Sequence, residues 1–370
     1  MSEKALGIGV VGCGGFGLYA LQHFTQIPGI EVVGMAGTHR EAAYAAAQRF
    51  GIPEPVEVEE LVTWPNVDVV YIATPPFLHH QQAMAALNAG KHVISEKPLA
   101  VTLEQADEML ATAGNQGLLL VANLMQRYNP LFDTIKQLIE SRLLGDLLHG
   151  YFENYATDEG LPAEHWFWDA EKSGGIFIEH GVHFFDLFEG WLGAGKVASA
   201  QASVRPGTAI EDQVNCTVQY RDGILVNFYH GFTQVGRMDR QEMRLLFERG
   251  DARLHNWVPT LVRVRALADE KDTRGLMELF PGARLDILEN YPPKDRACHG
   301  RHKSLDVYQK VEITYGEGHD KMVRYGELLR AVIEDQAAWI RDPSHQRRIT
   351  GVNGRNSLAV AVEATRLAHA

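Results

Sequence analysis

One junction near the start of the chain narrows the choice of fold more than any other feature. Leu6-Gly7-Ile8-Gly9-Val10-Val11 is a continuous apolar run, the pattern of a parallel strand buried on both faces. It passes directly into Gly12-Cys13-Gly14-Gly15-Phe16-Gly17, and helical spacing follows over residues 18–24. Strand, G-x-G-x-x-G turn and helix in immediate succession form the first unit of a dinucleotide-binding sheet. Gly12 permits the tight turn, Gly14 lets a pyrophosphate approach the backbone, and Gly17 lets the helix pack on the strand. Gly15 and Phe16 complete the loop, and the helix start offers unpaired N–H groups to phosphate oxygens.

The second strand is Ile30-Glu31-Val32-Val33-Gly34-Met35-Ala36. Folds of this kind that prefer NAD place an acid after it to hold the ribose 2′-hydroxyl. Here the chain reads Gly37-Thr38-His39-Arg40, with no acid before Glu41. Thr38 and Arg40 can instead accommodate a 2′-phosphate, Arg40 through charge-assisted hydrogen bonds. A second reading is that Arg40 merely opens the Ala-rich helix after it. NADP is therefore favoured as cofactor, with NAD possible.

Strand and helix continue to alternate. A strand over residues 67–73 ends at Thr74-Pro75-Pro76, a helix covers 77–90, and a strand over 91–95 leads into Glu96-Lys97-Pro98. Thr102 and Gln105 open another helix with a capping-box pattern, and residues 118–122 form a last apolar strand. Such alternation predicts a doubly wound parallel sheet. Lys97 then stands at the carboxyl edge, where open α/β sheets bind ligands.

The 370 residues are too many for that sheet alone, so a second domain is expected. A net charge of −12 leaves no electrostatic footprint for nucleic acid or an anionic membrane. The three cysteines, Cys13, Cys216 and Cys298, are far apart and lack a Cys-x-x-Cys pair, which argues against a disulfide framework or a zinc site. No apolar stretch approaches the roughly 18 residues that span a bilayer, and no signal peptide is read at the start. A cytoplasmic location is expected.

Three motifs together resemble one family: the glycine turn, Ala73-Thr74-Pro75-Pro76 with His79, and Glu96-Lys97-Pro98. The chain resembles the glucose–fructose oxidoreductase / inositol dehydrogenase / rhizopine catabolism (Gfo/Idh/MocA) group of NAD(P)-dependent sugar oxidoreductases. Asn123 to Pro130 and Ser173-Gly174-Gly175 extend the likeness, which fades over residues 235–310. The resemblance implies a Rossmann domain over residues 1–124. It also implies a substrate-binding and oligomerisation domain over 125–370, with a large, mostly antiparallel sheet whose open face makes a homodimer or homotetramer. It places Thr74, Pro75, His79, Glu96 and Lys97 along the cofactor, and Lys97, Glu179 and His183 around the reacting carbinol. Glu179 departs from the family's commoner Asp. Some members use an acid three residues after the histidine, here Asp186, with a further histidine where this chain has Gly190.

In a helix, Glu179, His183 and Asp186 fall at i, i+4 and i+7 on one face, with Phe and Ile filling the rest. A histidine can take the hydroxyl proton of a secondary alcohol, a carboxylate can orient it, and Lys97 can stabilise the developing alkoxide. Glu179, His180, His183 and Asp186 are also metal-ligand types, but His180 points away in this reading and no partner cluster has metal spacing, so no metal is expected. Trp166 and Trp168 lie in an aromatic, acidic loop suited to a sugar ring, although one of them can simply anchor the loop. Arg127 is a candidate substrate contact, or else part of a surface ion pair.

The remainder reads as strands with a hairpin turn at Arg221-Asp222-Gly223, a polar insertion over residues 267–303 and two closing helices. The expected activity is hydride transfer between nicotinamide and a secondary alcohol or ketone of a carbohydrate. The alternatives are a glycoside hydrolase working through transient oxidation and elimination, and a non-catalytic nucleotide sensor, against which Lys97 and His183 argue.

Overall fold

The computed structural model describes residues 4–37, 40–300, 302–316, 318 and 320–370. The N-terminal part alternates strand and helix: β1 (Leu6–Val11), α1 (Gly15–Phe24), β2 (Ile30–Ala36), α2 (Arg40–Phe50), α3 (Val58–Leu61), β3 (Val69–Ile72), α4 (His79–Asn88), β4 (His92–Ser95), α5 (Leu103–Asn115) and β5 (Leu120–Ala122). The five strands are parallel in the order β2-β1-β3-β4-β5. The order reverses between β1 and β3, and that switch point is where such sheets take their ligands. Val11 stands opposite Ile72, and Ile72 opposite Ser95. The residues that follow, Gly12, Ala73 and Glu96, therefore emerge together on one edge.

A turn at Met125–Tyr128 leads out of this sheet into α6 (Pro130–Ser141). Proline at the first helical position sacrifices no hydrogen bond, and the Asn129 side chain caps the Leu131 N–H at 3.0 Å. Next come β6 (Leu147–Thr157), α7 (Ala170–Ser173), α8 (Val182–Leu192), β7 (Lys196–Val204), β8 (Glu211–Gln219), β9 (Leu225–Gln234), β10 (Arg240–Phe247), β11 (Gly250–His255) and β12 (Leu261–Ala268). The chain finishes with α9 (Glu270–Leu279), β13 (Arg284–Asn290), β14 (Ala297–His299), β15 (Ser304–Asp306), β16 (Gln309–Gly316), α10 (Lys321–Arg341) and α11 (Gly351–Ala368).

Nine of these strands form one sheet, β13-β16-β12-β11-β10-β6-β9-β8-β7, antiparallel throughout except where β6 runs beside β9. Burial alternates along β6, β8, β9 and β10, so Phe152, Val214, Phe228, Met243 and Leu245 face a core while their neighbours face outward. α8 and α11 cover that inner face. The β8–β9 turn is the expected hairpin, with Asp222 at φ 59° and Gly223 at φ 78°.

One sequence reading needs correction. Residues 267–303 are not a separate polar insertion. They complete β12, form α9, and supply β13, the outermost strand, which pairs with β16. The two closing helices also reach the first sheet's layer. α10 packs on α1, and α11 lies against α5 and β5 as well as α8. The amphipathic pattern of these helices says that one face is buried but not against what.

Candidate active site

The glycine turn has the geometry that its spacing requires. Gly12 has φ 105°, and a Cβ there would lie 2.6 Å from the Ala73 carbonyl carbon. A Cβ at Gly17 would lie 1.9 Å from the Gly12 oxygen. At Gly14 and Gly15 a Cβ would meet nothing within 4 Å, and no side chain caps α1. The residues thus fit a dinucleotide: space above the turn and a helix start with free backbone donors. Phe16 packs on Tyr325 of α10, with ring centroids 5.7 Å apart. Thr38 lies outside the described residues, as does the Arg40 side chain.

Behind this edge the motif residues mostly brace one another. Glu96 is buried, and its Oε1 accepts hydrogen bonds from Tyr71 Oη and, at 2.7 Å, from Asn123 Nδ2. Burial raises its pKa despite these donors and the nearby Lys97. His79 is wholly buried between the carbonyls of Thr74 and Pro98, each 2.8 Å from a ring nitrogen. Glu96 and His79, expected along the cofactor, brace the loops that carry Thr74-Pro75 and Lys97. Thr74 donates to Gln82 at 2.6 Å, and Pro75 is half-buried beside it. The Lys97–Pro98 peptide is cis.

Lys97 reaches across to the second sheet's helical layer. Its Nζ donates to Glu179 Oε1 at 2.6 Å and to the Glu179 backbone carbonyl at 2.9 Å. The lysine side chain keeps 19% of its surface exposed, against 11% for Glu179.

Glu179 does not sit in an α-helix. Phe177–Gly181 form a π-helical turn that runs into α8. Such turns use i→i+5 bonding and recur at functional sites. The wider turn rotates Glu179 away from the line expected for an uninterrupted helix, and the three polar residues separate. Asp186 is fully buried and takes Arg127 in a two-point grip, Nε to Oδ2 at 2.8 Å and Nη2 to Oδ1 at 2.9 Å. Burial outweighs the guanidinium and pushes Asp186 up to about 6. Arg127, expected at the substrate or in a surface pair, is therefore committed to a buried pair. Gly190 makes room for it, since a Cβ there would lie 2.2 Å from Arg127 Nη1.

His183 is 5% exposed, and its Nδ1 is buried without a hydrogen-bond partner. Neither Glu179 nor Asp186 orients it, contrary to expectation, because each carboxylate is taken by a cation. Desolvation, then the charge of Lys97, then His180 hold its pKa well below the usual 6.5. His180 turns toward β9, where its Nδ1 lies 2.9 Å from His230 Nδ1. Among the described residues no cluster of His, Cys, Asp and Glu could hold a metal ion. Trp166 and Trp168 are both half-buried, and Trp168 packs against Phe167 and Phe232.

Several neighbours escape sequence reasoning. Trp257, just past β11, lies 6.0 Å from the His183 ring and 5.0 Å from Tyr325. Gln126 donates to the Trp257 carbonyl, and Asn129 Nδ2 donates to the Pro259 carbonyl at 2.8 Å, so the crossover holds this loop. The one local signal is Asn256, at φ 71°, a residue type that tolerates that conformation before the tryptophan.

Comparison with known proteins agrees with this geometry. The family described as "Oxidoreductase family, NAD-binding Rossmann fold" matches residues 6–124, and the "GFO/IDH/MocA C-terminal domain" matches residues 132–253. A 1,5-anhydro-D-fructose reductase of Ensifer adhaerens is 34% identical over 217 residues, 55% of this chain and 63% of that protein. A trans-1,2-dihydrobenzene-1,2-diol dehydrogenase of Mus musculus is 30% identical over 201 residues, 54% of this chain and 59% of that one. The chain thus spans less than two thirds of the length of these curated relatives. The WlbA dehydrogenase of Bordetella pertussis, solved with NADH and UDP-GlcNAcA, shares the fold at a TM-score of 0.79 and 20% identity, over 100% of this chain and 97% of that one. With the nucleotide-binding sheet and the first strands of the second sheet both matched in sequence, the chain belongs to the Gfo/Idh/MocA oxidoreductase family.

Proposed function

We propose that the protein is an NAD(P)-dependent oxidoreductase acting on a secondary alcohol or ketone of a sugar, polyol or related carbohydrate, with NADP the favoured cofactor. The observation that carries this reading is the clasp between Lys97 and Glu179, which holds a partly exposed lysine between the glycine turn and the aromatic-lined second layer. The names of the relatives point the same way, one a sugar-ketone reductase and another a diol dehydrogenase.

A bound nicotinamide supplies the hydride acceptor or donor. Lys97 binds the substrate oxygen and stabilises alkoxide charge as it develops, a donor role that gains strength in a site shielded from water. Glu179 holds the lysine by two points and so fixes where that charge sits. His183, kept neutral by burial and by Lys97, is available to take the hydroxyl proton in the oxidative direction. Trp166 and Trp168 offer apolar faces to the C–H side of a ring. Asp186 and Arg127 belong to the frame that holds α8.

We also infer a cytoplasmic location and a homodimer or homotetramer built on the open face of the nine-stranded sheet. That face carries Tyr151, Glu153, Tyr155 and Tyr229 in a polar and aromatic mixture common at interfaces.

The test is a thermal-shift screen with NADP and NAD, each combined with D-glucose, D-xylose, D-glucitol, myo-inositol and 1,5-anhydro-D-fructose, followed by absorbance at 340 nm. Stabilisation by NADP and a substrate-dependent change in absorbance are expected. Tighter binding of NAD would overturn the cofactor preference, and release of free sugar from a glycoside without net redox change would overturn the reaction class.

A further inference from the structure

Beside Lys97 lies a second pair of groups that the chemistry above does not use. His230 is on the inward face of β9, in step with the buried Val226 and Phe228, and is itself wholly buried. His180 follows Glu179 directly in the π turn and is half-buried. Their Nδ1 atoms are 2.9 Å apart. Two imidazoles sharing one such contact must divide the roles, one donating N–H and the other accepting.

The surroundings decide which does which. The other nitrogen of His230, Nε2, is buried with no partner, and its ring is enclosed by Phe152, Phe177, Phe184 and Phe185. A buried N–H without an acceptor is the rarer and costlier outcome, whereas an under-used lone pair is better tolerated. Burial also holds both rings in their neutral form. The single proton of His230 therefore sits on Nδ1 and is donated to His180 Nδ1. His180 must then carry its own proton on Nε2, which makes no hydrogen bond to any described residue. The ring packs against Phe232 at 5.4 Å, and Phe232 in turn packs against Phe167 and Trp168.

We propose that His230 locks His180 as the Nε2–H tautomer, so that His180 presents a neutral hydrogen-bond donor to an acceptor oxygen of the carbohydrate next to the carbon held by Lys97. His230 is a positioning residue, and His180 sets specificity. Lys97 is a charged donor for the oxygen that reacts. His180 is an uncharged donor for one that does not, with Phe232 and Trp168 against the ring's C–H face. Only the substrate arm of this proposal rests on the oxidoreductase reading.

The test has two arms. In the protein labelled with 15N-histidine, NMR of the imidazole nitrogens is expected to show His180 protonated at Nε2 and His230 at Nδ1. The reverse assignment overturns the proposal whatever the enzyme turns over. In the kinetic arm, with NADP and the best substrate from the panel above, His180→Phe should raise KM about tenfold, with a smaller change in kcat. His180→Gln, which restores a donor, should recover most of that loss. The wild type should discriminate against one monodeoxy analogue, and His180→Phe should lose that discrimination. Unchanged KM in a His180→Phe protein that melts normally would overturn the substrate role. Absence of turnover across the whole panel counts against the oxidoreductase reading, while the NMR arm still decides the tautomer.

Discussion

Lys97 and Glu179 meet twice, the ammonium donating at once to the glutamate's side chain and to its backbone carbonyl. One contact would orient a lysine, but two hold its charge at a defined point between the layers. The π turn makes the carbonyl accessible, so the local irregularity of Phe177–Gly181 and the position of the ammonium are one feature.

Replacing Lys97 by Met keeps the length of the side chain and removes the charge. Turnover should fall by about 10²–10³, the cost typical of losing one preorganised donor to a developing oxyanion. NADPH affinity, read from fluorescence titration, should change far less because the glycine turn is untouched. Full turnover in Lys97→Met would remove the lysine from the mechanism.

Gly190→Ala tests the buried pair. The new methyl would intrude on Arg127 Nη1 and displace the guanidinium from Asp186. Overpacking and a disturbed buried ion pair together should cost about 3 kcal/mol in denaturant unfolding. Adding Arg127→Met removes the two nearest clashing atoms and leaves Phe132 Cζ at 2.7 Å, so the double variant should be less destabilised than the sum of the singles. Strict additivity would mean that Gly190 and Arg127 do not share this space.

Much of this is legible in the amino-acid sequence. The glycine turn, the alternating first sheet and Lys97 rest on local motifs, where a few adjacent residues carry both the geometry and its reason. The positions of Glu179, His183 and Asp186 were also evident, but not their partners. A helical wheel assumes an unbroken 3.6-residue repeat, and the π turn breaks it. Trp257, Tyr325 and His230 were illegible for another reason. Each comes from a distant strand, loop or helix, and a single aromatic or histidine in an ordinary amphipathic pattern does not say what it will face. The edge strand β13 is largely exposed, and its Leu285, Ile287 and Leu288 are interrupted by charge, so its pattern resembles an insertion.

Arg40 bears on cofactor choice. If it meets the 2′-phosphate, Arg40→Ala should weaken NADP binding by about tenfold or more, the worth of a charge-assisted hydrogen bond, and leave NAD nearly unchanged. Equal losses for both cofactors would favour the plainer role of opening α2. Isothermal titration with each nucleotide separates the two outcomes.

Acid should unfold this protein earlier than its carboxylates alone would require. His79, His180, His183 and His230 are buried, and burial is the leading cause that lowers each pKa below 6.5, in His180 to about 3. A group whose folded pKa is depressed contributes its full stability above the unfolded value and loses it as pH falls toward the folded one. Below pH 6.5 the unfolded chain therefore binds protons that the native chain resists. One unit lower, His180, with a folded pKa of about 3, should cost roughly 1.4 kcal/mol, and the other three act in the same direction. Asp186 runs the other way, since its pKa is raised from 3.8 to about 6, and its burden eases as pH drops through that interval. Glu96, whose pKa burial also raises, acts in the same sense as Asp186, but two carboxylates cannot offset four histidines, so the denaturation midpoint should decline steadily from pH 6.5 to 5. His230→Phe, which removes one of the four, should flatten that decline, and a slope unchanged by the substitution would show that His230 titrates normally in the folded chain.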